Sequence, residues 1–94
     1  MEIVFLPSAK ITTESIVNFI DELNTEGAGD RWYDRLVNYC KKHALPNTQY
    51  SYCNNKWLAK RKFSCIVFNN WIIAFTIQHN KFIVHHVIYG RLLK

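Results

Sequence analysis

From Arg35 to Lys94 the chain contains no aspartate and no glutamate. All seven acidic residues lie between Glu2 and Asp34, where two basic residues leave a net charge of −5. The rest of the chain carries ten Lys/Arg and a net charge of +10. The missing carboxylates remove the usual ligands for Mg²⁺, so a metal-dependent nuclease centre is not expected. They also leave a one-signed positive field, which attracts polyanions. Nucleic acid is the first candidate partner and an acidic protein the second.

Other scarcities bound the class. Three glycines and two prolines beside 49% hydrophobic residues argue against long disorder. No apolar run approaches the ~20 residues that a membrane helix needs. The opening MEIVFLPSAK carries Glu2 and only a brief apolar stretch, which is not a signal-peptide pattern, so a cytoplasmic protein is expected. Cys40, Cys53 and Cys65 are an odd set without CxxC spacing. Neither a disulfide framework nor a zinc site is expected from them, and reduced, partly buried thiols are the simplest reading. Neither a metal nor a small-molecule cofactor is implied. Ninety-four residues make one domain, 1–94, with one modest core.

Within those bounds, Glu2 to Leu6 reads as a short strand that Pro7 stops or confines to a sheet edge. A helix is expected from an N-cap at Thr12 to about Asn24, with Ile11 and Ile16 as a hydrophobic staple. Ile16, Phe19, Ile20 and Leu23 recur at helical spacing as its inner face. After a loop with two glycines, Asp30 is the expected cap of a second helix carrying Trp32, Leu36, Val37 and Cys40 inward. Lys41, Lys42 and His43 suit the negative end of its dipole, and Pro46 prevents continuation. A loop this short makes the pair an antiparallel hairpin. The stretch from Asn47 to Lys62 is aromatic and basic, with room for a short strand or turn around Lys56–Leu58.

Phe63 to Lys94 holds three apolar runs rich in β-branched and aromatic residues, separated by Asn69-Asn70 and His79-Asn80. Asn tolerates the positive φ of tight hairpins, so a three-stranded antiparallel meander follows. The expected fold is α+β, in the order β-α-α-β-β-β: an antiparallel sheet whose C-terminal meander packs on an N-terminal helical hairpin. The hairpin covers one sheet face, which leaves the other partly apolar and open to a partner.

This order, the basic sheet half and the closing Val87-Ile88-Tyr89-Gly90-Arg91 resemble the RelE/ParE superfamily of bacterial type II toxins, also described as plasmid stabilisation proteins. The run Trp71 to Ile77 matches the family's penultimate strand in place. The resemblance implies an antitoxin that wraps and neutralises the chain. It also implies one of two targets: RelE-like members act as mRNA interferases at the ribosome, whereas ParE-like members inhibit DNA gyrase without catalysis. A toxin-fold relic acting only as an interaction domain is a third reading.

Metal-free RNA cleavage needs the 2′-OH activated, the leaving 5′-oxygen protonated and the phosphorane charge stabilised, tasks within reach of His, Tyr, Lys and Arg. Tyr89 falls where the family often has an acid/base residue, and Arg91 matches its basic residue after Gly. The outward one of His85 and His86 is a further proton-transfer candidate, and His86 is taken for that role. Neighbours on a regular strand face opposite ways, so one histidine is expected to face inward and one outward, and the two are not expected to form a metal pair. Lys60, Arg61 and Lys62 form the densest basic cluster and suit phosphate contact. Trp71 suits base stacking. It stands where the family's strand opens with Arg, and Cys65 or Ile66 stands where the preceding strand often has another. That departure favours the non-catalytic reading.

Overall fold

The computed structural model describes residues 1–45 and 50–92. Its order is β1 (Glu2–Phe5), α1 (Pro7–Leu23), α2 (Ala28–His43), α3 (Lys56–Lys60), β2 (Ser64–Phe68), β3 (Trp71–Gln78) and β4 (Lys81–Tyr89), closing in a 3-10 turn at Gly90–Leu92. The four strands form one sheet in the order β1-β4-β3-β2. The class is α+β. The sheet is mixed rather than antiparallel, because β1 pairs with β4 in parallel. Pro7 does stop β1, which lies at a sheet edge. The meander forms in the expected places. Its second turn has both His79 and Asn80 at positive φ, 52° and 59°, as a two-residue turn with the twist of the flanking strands requires.

Helix α1 begins five residues before the expected cap. Pro7 occupies its first turn, where a missing N–H costs nothing and the fixed φ is already helical. Thr12 is therefore inside the helix, its hydroxyl donating to the Ser8 carbonyl at 3.1 Å. Asp30 does not cap α2 either. The helix starts at Ala28, and the Asp21 carboxylate accepts from the Gly29 N–H at 2.8 Å. One side chain of α1 thus satisfies an orphan donor of α2 and places negative charge at the positive end of its dipole. The two helices approach so closely there that a Cβ on Gly29 would stand 2.3 Å from the Val17 carbonyl oxygen. Lys41, Lys42 and His43 occupy the last turn of α2 as expected. Pro46 and the start of the 47–62 stretch lie outside the described residues.

The main core lies between the hairpin and one sheet face. Trp32, Leu36 and Cys40 of α2 meet Ile66, Phe68, Ile73, Phe75, Phe82, Val84 and Val87 of the strands. Phe75 and Phe82 stack with centroids 4.2 Å apart and ring planes 18° from parallel. Ile16 is buried here, but Phe19 and Leu23 of α1 point outward, 60% and 66% exposed, as does Ile11 at 66%.

The opposite face has its own small core. Leu58 of α3, Cys53 and Ala74 are buried with Phe63, Cys65 and Ile88 against them. Lys56–Lys60 is thus a short helix, not a strand, capped by Asn55, whose side-chain oxygen accepts from the Leu58 N–H at 3.1 Å. Its other end closes through Lys62 N–H to Ala59 O at 2.9 Å and Phe63 N–H to Leu58 O at 3.1 Å. Lys62 takes a left-handed φ of 63° to allow it.

Cys53 and Cys65 form a disulfide, so the expectation of three reduced thiols is corrected. Spacing did not reveal the pair because β2 turns back under α3 and brings Cys65 to Cys53. Cys40 is free and buried, and burial pushes its thiol up to about 12. The native protein is therefore expected to resist alkylation by iodoacetamide at pH 8, read by mass spectrometry, because neither kind of cysteine offers a thiolate. The disulfide spans a sequence separation of 12, so Cys53→Ser should lower unfolding free energy by about 3 kcal/mol in urea titration.

Candidate nucleic-acid interface

The strand register decides which side chains share this second face. Along β3, Ile73 and Phe75 face the hairpin, so Ile72, Ala74 and Thr76 face away. On β4 the pairing runs Ile73 to Val87 and Ala74 to His86, then slips so that Phe75 pairs with Val84. His85 is the extra residue of a β-bulge. Val84 and Val87 both lie in the hairpin-side core. The two residues between them therefore both face the α3 side.

The ring contacts agree. The Phe63 ring lies 4.6 Å from that of His85 and 5.6 Å from that of His86. His85 Nε2 shares a 2.8 Å hydrogen bond with Thr76 Oγ1, on the same face. The expectation that one histidine points inward and one outward is thus corrected, since a bulge breaks the alternation on which it rested. Burial, and then repulsion from His86, hold the His85 imidazole below its ordinary pKa.

Helix α3 adds an aromatic and a cation. The Trp57 ring is 5.9 Å from that of His86. The Arg61 guanidinium stands 4.2 Å from the centre of the Trp57 ring, a cation–π contact. Trp57 and Arg61 are four residues apart, the helical spacing that brings side chains together. Lys60 and Lys62 flank them, both exposed. Beside this cluster runs a groove of about 890 Å³, lined in part by Tyr52, Asn54, Lys56, Trp57, Val67 and Ile72. Exposed aromatic rings beside lysines and arginine are what a single-stranded polyanion with stacking bases would meet.

The sequence-predicted site residues fall on both sides of the sheet. Arg61 and His86 meet at Trp57, with Lys60 and Lys62 alongside. Trp71 lies on the other face, its ring 6.2 Å from Trp32 and 5.3 Å from Tyr89. Tyr89 is paired with Trp71 across the ladder and shares its side. Arg91 is exposed in the closing 3-10 turn. Sequence reasoning missed His85 as a companion of His86, together with Thr76 and Phe63. It also passed over Trp57, although the Trp57–Arg61 spacing was readable. Among the described residues no cluster of His, Cys, Asp or Glu is arranged to hold a metal, and no helix is long and apolar enough to cross a membrane.

No protein-family model matches the chain, and no curated protein matches it.

The lowered His85 pKa fixes the sign of one pH effect. In the unfolded chain His85 protonates at its ordinary value of about 6.5, whereas the fold favours the neutral ring. Its contribution to stability is complete above about pH 6.5 and is lost as pH falls from there toward the lower folded value. Urea midpoints at pH 7.5 and 5.5 should therefore differ less in His85→Gln than in the wild type.

Proposed function

We propose that this chain is the toxin component of a bacterial type II toxin–antitoxin system, RelE-like, inhibiting translation by ribosome-associated mRNA cleavage. The observation that supports this reading best is the face on which Arg61 and His86 meet at Trp57. That face offers phosphate contact, base stacking and proton transfer together without a metal. The α+β architecture, with a helical hairpin on one sheet face, is compatible with the RelE/ParE superfamily. An antitoxin partner needs apolar surface to cover, and Ile11, Phe19 and Leu23 of α1 offer it. A cytoplasmic site of action would hold Cys53 and Cys65 as a dithiol, since that compartment is reducing. Leu58 and Phe63 would then be left to keep α3 on the sheet.

Incubation with programmed ribosomes should cut mRNA in the A-site codon. Arg61→Ala and His86→Gln should each slow cleavage about 10²-fold or more. Intact mRNA after prolonged incubation with the wild type rejects the reading.

One observation favours the ParE-like alternative. Trp71 and Tyr89 are engaged with Trp32 and with each other on the hairpin side. The family positions nearest the chemistry thus hold packing groups, whereas a gyrase-binding toxin needs no catalytic set. Inhibition of gyrase supercoiling by micromolar protein, equal in wild type and His86→Gln, is the result that this alternative requires.

A further inference from the structure

Two histidines in sequence on a regular strand would be separated by the sheet. Here the bulge between Ala74 and Phe75 turns both toward the same face. Phe63 touches both rings. Thr76 fixes one nitrogen of His85, and Trp57 borders His86. Arg61 lies over the Trp57 ring. Placed together are two imidazoles, a positioning hydroxyl, an aromatic platform and a guanidinium, with no acidic residue anywhere in the sequence beyond Asp34.

We propose that His85 and His86 form an acid–base dyad that cleaves single-stranded RNA by transesterification, with Trp57 stacking a base and Arg61 bound to the scissile phosphate. This inference rests on the reading of the chain as an RNA-directed toxin and names the residues and bonds involved. His85 is held neutral by burial and by its neighbour. In the tautomer that donates Nε2–H to Thr76 Oγ1, its Nδ1 is the free base. That nitrogen takes the proton of the ribose 2′-OH as the 2′-oxygen attacks phosphorus. The P–O5′ bond breaks, and protonated His86 gives its proton to the departing 5′-oxygen. The products are a 2′,3′-cyclic phosphate and a 5′-hydroxyl. One proton enters the dyad and one leaves it, so the step needs no metal and no further reactant. Arg61 opposes the charge that gathers on the non-bridging oxygens, a contribution that grows toward the transition state. Thr76 is a positioning residue, since it acts only through His85.

The charged and titratable groups facing the pair fix what its pH profile should look like. The side chains placed against the pair, Phe63, Trp57 and Thr76, are uncharged; Arg61 is next, in contact with Trp57, and Glu2 and Lys81 share the face further along the sheet. One group must be neutral and the other protonated, so the rate rises and then falls with pH. His85→Gln should remove the acid limb and His86→Gln the alkaline limb, each with a loss of about 10²–10⁴-fold at the optimum.

The test uses the full chain with programmed ribosomes and an mRNA labelled at both ends, with fragment termini read by mass spectrometry. Circular dichroism melts of each variant establish that it is folded. Thr76→Val, which keeps the shape but not the hydroxyl, should shift the acid limb while leaving KM near the wild-type value. A 2′-deoxy residue 5′ of the cleaved bond should abolish cutting, and the upstream fragment should end in a cyclic phosphate. Cleavage at the wild-type rate by folded His85→Gln or by folded His86→Gln overturns the dyad and leaves the toxin reading standing. Fragments ending in a 3′-hydroxyl and a 5′-phosphate do the same. No cleavage by the wild type overturns both.

Discussion

Between Ala74 and Phe75 the β3–β4 ladder slips by one residue, and the candidate site depends on that slip. Both sides of it are held by burial. Val84 and Phe82 below it, and Val87 above it, are all in the hairpin-side core. A strand without the bulge would have to turn one of these valines to the opposite face, or leave a histidine among the aromatic rings beneath α2. Desolvating an imidazole there without a partner costs more than the lost ladder bond, since an unsatisfied buried polar group costs about 1–3 kcal/mol. The extra residue instead leaves His85 at the sheet surface, where Thr76 offers its hydroxyl.

The second constraint acts on the segment that carries the positive charge. A five-residue helix does not hold its own shape in water. Helix α3 is held by three devices: the Asn55 cap, burial of Leu58 against Ala74 and Phe63, and the Cys53–Cys65 bond. Together they fix Trp57 and Arg61 over the sheet rather than on a loose loop. The electrostatic cost of gathering Lys60, Arg61 and Lys62 in sequence is lowered because they lie at the negative end of the helix. The acidic residues all lie before Arg35. Asp21 is used at the α1–α2 junction, so the polarity of the chain has a structural use as well as an external one.

The meander was legible because turn chemistry and β-branched runs are local. Asn69, His79 and Asn80 all adopt the positive φ that tight turns require. The helical hairpin was legible in number and spacing, but its starts were not. Thr12 and Asp30 look like caps by residue type, yet Pro7 and the side chain of Asp21 supply what the helix ends need. The first is a proline whose effect differs between a strand and a helix start. The second is a contact between residues eight apart that exists only once two helices meet. Phe19 and Leu23 fit a helical period and still face outward, since periodicity marks a stripe without saying what covers it. The disulfide and the bulge were hidden for a related reason. Each depends on which residue ends opposite another across the sheet, and a single chain carries no statement of register beyond its turns.

For the candidate site the consequence is a change of place. Residues at the end of the last strand, Tyr89 above all, were attractive because they fall where the RelE/ParE pattern carries chemistry. Trp71 packs on Trp32 at the margin of the hairpin-side core, and Tyr89 packs on Trp71, on the sheet face opposite the histidines. His85 and His86 are the neighbouring titratable rings on that other face. On their face burial, and then repulsion from His86, favour the neutral form of the His85 ring. A surface that only bound polyanions would be served by lysine and arginine. Two imidazoles on one face, one of them fixed by a threonine and neither paired with a carboxylate, are better suited to moving protons than to holding a phosphate.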